Sequence, residues 1–108
     1  MITKFNIFEN VNYKLKIGDY IVGEMEKESQ YDTDFIYFIK NNVGLLIDVM
    51  SNNGFRVVEY DNVPEKIKSY FSLYNNHMTR NFRIDEIILW SESKEELEEI
   101  LAAKKYNL

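Results

Sequence analysis

The residues that could do chemistry are few. The chain has 108 residues and no cysteine, which excludes disulfides and thiolate metal sites. His77 is its only histidine, and no serine, aspartate or cysteine arrangement around it resembles a nucleophilic triad. A polar turn residue is the simpler reading of His77. The carboxylate pairs Asp32 with Asp34 and Asp85 with Glu86 could in principle hold a hard cation. Neither sits in a loop with the ligand spacing and central glycine of a calcium-binding loop, so solvated acids are the simpler account. The four glycines stand apart at 18, 23, 44 and 54, which leaves no phosphate-cradling loop and no dinucleotide fingerprint. The expectation is a protein with no catalytic residue, no metal and no cofactor.

Two charged constellations remain, and each has a plainer alternative. Lys66, Lys68, His77, Arg80 and Arg83 are interleaved with Tyr70, Phe71, Tyr74 and Phe82. Cations that track phosphates beside aromatics that stack on bases are the components of a single-stranded nucleic-acid site. The same aromatics also fit the buried stripe of a helix. The acidic constellation has two parts: Glu24, Glu26, Glu28, Asp32 and Asp34, opposed only by Lys27, and Glu92, Glu95, Glu96, Glu98 and Glu99, opposed by Lys94. A row of carboxylates can dock on a basic groove built for nucleic acid. It can equally be the solvated face of a helix, with Glu95 and Glu96 favouring the N-terminus and Lys104 and Lys105 the C-terminus.

The balance of 13 basic against 18 acidic residues gives a net charge of −5, which argues against duplex DNA or an anionic membrane as a general partner. A basic protein surface suits it better. No apolar run approaches the roughly 18 residues of a membrane span, and Met1 to Glu9 lacks the pattern of a secretory leader, so a cytoplasmic setting is expected. A composition of 45% hydrophobic and 15% aromatic residues is that of a folded chain, and the length predicts one domain over 1–108.

The elements that must position these residues follow from pattern and punctuation. Tyr20-Ile21-Val22 after Gly18-Asp19 predicts a strand at about 19 to 25. A long acidic loop over 24–34 leads to Phe35-Ile36-Tyr37-Phe38-Ile39, a run that could form a short strand but in which the spacing of Phe35, Phe38 and Ile39 favours one helical turn, with Asp34 as its cap. The alternation Val43, Leu45, Ile47, Val49, the turn Asn52-Asn53-Gly54 and the run Phe55 to Tyr60 predict a hairpin. In its second strand either Phe55 and Val57 or Val58 and Tyr60 face inward. Asn62-Val63-Pro64-Glu65 has the form of a helix start, and Val63, Ile67, Tyr70, Phe71 and Tyr74 predict a helix to about 74, followed by a polar turn over 75–81. Phe82 to Trp90 reads as a tight turn and a last strand at about 86 to 90. Ser93-Lys94-Glu95-Glu96 is a capping box opening a helix to about Lys105 on the stripe Leu97, Ile100 and Leu101. Val43, Leu45, Ile47, Val49, Ile67, Phe71 and Trp90 are the expected core.

The order Gly18-Asp19-Tyr20-Ile21-Val22, Asn41-Asn42-Val43-Gly44-Leu45-Leu46-Ile47-Asp48-Val49, Gly54-Phe55-Arg56-Val57-Val58-Glu59-Tyr60 and Phe82-Arg83-Ile84-Asp85-Glu86-Ile87 resembles that of an SH3-like small barrel. The resemblance covers about residues 16 to 90. It implies an α+β protein: a small antiparallel barrel with an inserted helix at 62–74 and a C-terminal helix at about 93–105. Such a fold implies no chemistry by itself. In style, a short acidic chain rich in Asn, Lys and Tyr also resembles small proteins of phages and mobile elements, including anti-CRISPR inhibitors. That likeness implies a non-enzymatic inhibitor that covers the basic groove of a bacterial defence nuclease. The alternative is an RNA- or single-strand-binding or regulatory barrel that uses Lys66, Lys68, Arg80 and Arg83.

Overall fold

The computed structural model describes residues 2–3, 14–25 and 32–106, and the α+β class is observed there. Its strands are β1 (Ile2–Thr3), β2 (Tyr20–Gly23), β3 (Gly44–Val49), β4 (Arg56–Glu59), β5 (Ser72–Tyr74), β6 (His77–Phe82) and β7 (Ile87–Ser91). They form one antiparallel sheet in the order β1-β7-β2-β3-β4-β6-β5. Helix α1 (Thr33–Asn41) lies on one face and helix α2 (Lys94–Tyr106) on the other. A 3-10 helix (Glu65–Tyr70) and a 3-10 turn (Ile84–Glu86) complete the elements among the described residues.

The sheet does not close into the barrel expected from the strand order. Its two edges, β1 and β5, pair with no further strand among the described residues. The reason lies in residues 62–82. The expected helix is a 3-10 helix that ends at Tyr70, and the expected polar turn is a hairpin, β5–β6, added beyond β4. Asn75 and Asn76 sit at φ 50° and 69°, the pair of left-handed residues that a two-residue hairpin turn requires. Asn62 also has φ 57° and caps nothing, because the residue before the 3-10 helix is Pro64.

Helix α1 is longer than one turn, and Asp32 rather than Asp34 caps it, accepting from the Asp34 N–H at 2.7 Å. The side-chain amides of Asn41 and Asn42 donate to the carbonyls of Tyr37 and Phe38 at 2.8 and 2.9 Å and so satisfy the helix end. Phe35, Phe38 and Ile39 face the sheet. They pack with Ile21, Leu46, Val58, Tyr60, Phe82 and Ile87 from the strands and with Ile67 and Phe71 beneath the 3-10 helix. This settles the inward set of the second hairpin strand as Val58 and Tyr60. On the opposite face Val22 and Leu89 pack against Leu97 and Leu101 of α2.

Two register shifts distribute the apolar residues between these cores. Leu46 pairs with Val58 and Asp48 with Val57, so Ile47 is the extra residue of a bulge. Val22 pairs with Leu89 and Gly23 with Ile87, which makes Ile88 extra in the same way. The expected single face of Val43, Leu45, Ile47 and Val49 therefore does not exist. Leu46 is the buried residue at 1% exposure, Val43 packs on the α2 side, Leu45 and Ile47 are half-buried, and Val49 is 40% exposed. Ile67 and Phe71 are buried as expected, whereas Trp90 is only partly buried against the first core. Gly44 is required by close approach: a β-carbon there would run into Val58 Cγ1 and stand 3.0 Å from the Tyr60 ring.

Leu46→Ala should cost about 2 to 5 kcal/mol through lost burial and a residual cavity. Val49→Ala should stay within about 0.5 kcal/mol, as exposed substitutions do. Urea denaturation of the two variants measures the difference, and equal losses would mean that the bulge at Ile47 is absent.

Candidate protein-binding surface

Helix α2 starts where the sequence places it, with a variation on the capping box. The Glu96 N–H donates to the Ser93 hydroxyl at 3.3 Å, as in the box. The Ser93 N–H, however, is satisfied by Ser91 Oγ at 3.0 Å, and the Ser91 hydroxyl donates to Glu96 Oε1 at 3.1 Å. Glu96 is thus half-buried and structural. Leu97 and Leu101 anchor the inner stripe, which puts Glu95, Glu98 and Glu99 on the exposed outer stripe. Their spacing of three and four residues costs a few tenths of a kcal/mol per like-charge pair. The macrodipole compensates Glu95 in the first turn but fades before Glu98 and Glu99. None of the three forms an ion pair among the described residues, so folding gains little from them.

The other acidic stretch is not continuous with this one. Glu24 is exposed just past β2, with its N–H donating to the Glu86 carbonyl at 2.8 Å. Glu26 and Glu28 lie outside the described residues. Asp32 is occupied as the α1 cap, and Asp34 pairs with Lys66 at 2.9 Å. Because α1 and α2 lie on opposite faces of the sheet, Asp32 and Asp34 share no surface with Glu95, Glu98 and Glu99.

The basic segment is internally matched. Lys66 pairs with Asp34, and the Asp34 carboxylate, through its hydrogen bond first and its charge second, holds the ammonium above the usual lysine range. Lys68 pairs with Glu65 at 2.9 Å. Arg83 Nε lies 3.2 Å from Asp85 and 3.9 Å from Glu86, and the Arg83 N–H donates to Glu86 Oε1 at 2.8 Å. Arg80 is half-buried, donates to the Tyr70 carbonyl at 2.8 Å and lies 5.1 Å over the Phe35 ring. The interleaved aromatics are committed as well. Phe71 and Phe82 are buried, and Tyr70 stacks on Phe35 with centroids 4.6 Å apart.

The sequence reading missed the polar side chains on the curved face of the sheet. His77 begins β6 rather than standing in a turn, with Nδ1 3.2 Å from Glu59 Oε2, and the Tyr74 hydroxyl donates to Asp48 Oδ2 at 2.6 Å. The signal was present in Asn75-Asn76 between two short alternating runs, a hairpin signature masked by the helical spacing before it. Among the described residues no group of three His, Asp or Glu side chains could hold a metal ion. No described helix is long and apolar enough to cross a membrane. Compared with known protein families, curated proteins and solved structures, the chain matches none.

Arg80→Ala should cost about 1 to 3 kcal/mol, since it removes a charged donor from a carbonyl and apolar stem packing from Phe35. Lys66→Ala and Lys68→Ala, whose ion pairs are exposed, should barely move the denaturation midpoint. Thermal melts of the three variants check this order.

Proposed function

We propose that the protein acts by binding another protein, through the outer face of α2, and performs no catalysis. The observation that carries this reading is the asymmetry of charge matching. Lys66, Lys68 and Arg83 each have a carboxylate partner within the fold, whereas Glu95, Glu98 and Glu99 are exposed with no cation against them among the described residues. What the outer stripe of α2 offers a partner between Glu95 and Glu99 is anionic and sits on a helix anchored by Leu97 and Leu101. The complementary surface is a groove of arginines and lysines, and the partner class is a nucleic-acid-binding protein. An inhibitor of a bacterial defence nuclease, encoded by a phage or mobile element, is the biological form that fits best. Covering the groove would act sterically and by charge. Single-stranded nucleic acid as the ligand finds less support, because Phe71 and Phe82 are buried, Tyr70 stacks on Phe35, the exposed Tyr74 is held by Asp48, and Lys66, Lys68 and Arg83 are paired.

The test uses the triple variant Glu95→Lys, Glu98→Lys and Glu99→Lys. Its folding should be close to wild type, because these are exposed side chains with no ion pair among the described residues, and only Glu95 has a hydrogen bond, a 3.3 Å contact from the Ser93 hydroxyl. A partner recovered from bacterial lysate by the wild-type protein should associate with the variant at least about tenfold more slowly at low salt, and with a weaker salt dependence. Unchanged association kinetics would remove α2 from the reading. Direct binding of RNA or single-stranded DNA by the wild type, lost in Lys66→Glu with Arg83→Glu, would replace it with the nucleic-acid reading.

A further inference from the structure

Leu46 and Val58 point to the α1 side, so their neighbours Leu45 and Glu59 point to the other face, along with Thr79 and Ser72 in the same row. Asp48, Val57 and Asn81 form the next row on that face, and Tyr74 and His77 stand in the row beyond the first. Tyr74 and Asp48 are therefore separated by strands β6 and β4 across the sheet and by two rows along it. In a flat sheet that is about 14 Å across and about 13 Å along, farther than the two side chains can span. Their hydroxyl–carboxylate contact of 2.6 Å exists because the sheet coils strongly on this face. Val57 and Thr79, on the strands between, are 2% and 1% exposed.

We propose that the Tyr74–Asp48 bond is a clasp that ties the edge strand β5 across the curved face to β3, so that breaking it lets the tip of the β5–β6 hairpin open away from that face. The roots of the hairpin are fixed by Phe71 and Phe82, both buried, and, one pair from the turn, Met78 is held by partial packing on the first core and by the Tyr60 N–H, which donates to its carbonyl at 3.0 Å. The tip has weaker ties: all three β5 residues are exposed, with Leu73 at 73%. The other links near it join neighbouring strands, as in Thr79 Oγ to the Ser72 carbonyl at 3.1 Å and His77 to Glu59 at 3.2 Å, or are weak, as in Asn81 to Met50 Sδ at 3.7 Å.

The two ends of the clasp are titratable and shift in opposite directions. The Tyr74 hydrogen bond, with the Val49 N–H second, holds the Asp48 carboxyl below the usual carboxylate range, and burial opposes this. The same bond, then the charge of Asp48, pushes the Tyr74 phenol above the usual tyrosine range. For Asp48 the lowered folded value means that the clasp contributes fully above the unfolded pKa and is lost as pH falls through the folded one. For Tyr74 the raised value means that it contributes fully below the unfolded pKa and is lost as pH rises through the folded one. The clasp is closed across the neutral range and opens at both extremes. The ionisable side chains of Glu59 on β4 and His77 on β6 face the same surface, 3.2 Å apart, so the clasp must be separated from them by substitution.

Amide hydrogen exchange on the full chain makes that separation, with wild type, Tyr74→Phe, Asp48→Ala and the double variant compared at neutral pH. Each single substitution should speed exchange at residues 72–78 by about two- to fivefold, as expected for one exposed charge-assisted bond. The double variant should be no faster than either single, and β7 and α2 should not change. Across the acidic range, rates corrected for intrinsic chemistry should rise more steeply in wild type than in the double variant, which retains only the His77–Glu59 pair. Unchanged rates in both single variants, effects that multiply in the double variant, or parallel acid profiles would each overturn the clasp.

Discussion

The centre of the sheet is buried on both faces, and the rest of the structure depends on that constraint. Strands β2 and β7 carry α1 and its aromatic layer on one side and α2 on the other. A strand in this position has no polar face, so Tyr20-Ile21-Val22 and Ile87-Ile88-Leu89-Trp90 are continuous apolar runs rather than alternations. The bulges at Ile47 and Ile88 then decide which residues enter which core. Without the extra residue at Ile88, Ile87 and Leu89 would face the same side; with it, one closes the α1 core and the other the α2 core.

The α1 core is built mainly from rings. Phe38, Tyr60 and Phe71 meet edge to face at centroid distances of 5.6 to 5.9 Å, and Phe82 joins Tyr60 at 6.4 Å. Such pairs add about 0.5 to 1.5 kcal/mol each beyond burial. Space for the Tyr60 ring comes from Gly44, where a side chain would collide with it. This packing has a functional consequence. An aromatic enclosed in the core cannot stack on a base, so Tyr70, Phe71 and Phe82, three of the four rings that suggested a nucleic-acid site in the sequence, instead pack in the α1 core, while the fourth, Tyr74, is exposed and bound to Asp48.

Legibility followed how local the determining physics is. The Gly54 hairpin, the turn before β7 and the Ser93 start of α2 rest on a few adjacent residues, and each lies where the sequence indicated. The stretch from Val63 to Phe82 was misread because the spacing of Val63, Ile67, Tyr70 and Phe71 suits a short 3-10 helix as well as a longer α-helix. The choice between them is made by the pairing of β6 with β4, whose nearest partners, Glu59 and Thr79, are 20 residues apart in sequence. The face of β3 was misread for a similar reason, since no pattern within 43–49 announces a bulge. The acidic residues of α2 were legible as exposed. The matching of Lys66 to Asp34 was not, because it joins elements 32 residues apart whose meeting is a property of the whole fold.

That matching also clarifies what the net charge of −5 means for this molecule. Exposed ion pairs such as Lys66–Asp34 and Lys68–Glu65 contribute little to stability, but each cancels a cation as a feature of the outer field. The field that survives is shaped by the carboxylates that the fold leaves unmatched. On α2 these stand on a helix held by Leu97 and Leu101, so their spacing is fixed before any partner arrives. A preorganised row of charge loses little freedom on binding, and steering by such a row acts on the rate of encounter rather than on the chemistry of a site. Glu96 is tied into the start of α2, but Glu95, Glu98 and Glu99 form no ion pair among the described residues, so their identities are open to variation in a way that the bulged and packed strands beneath them are not.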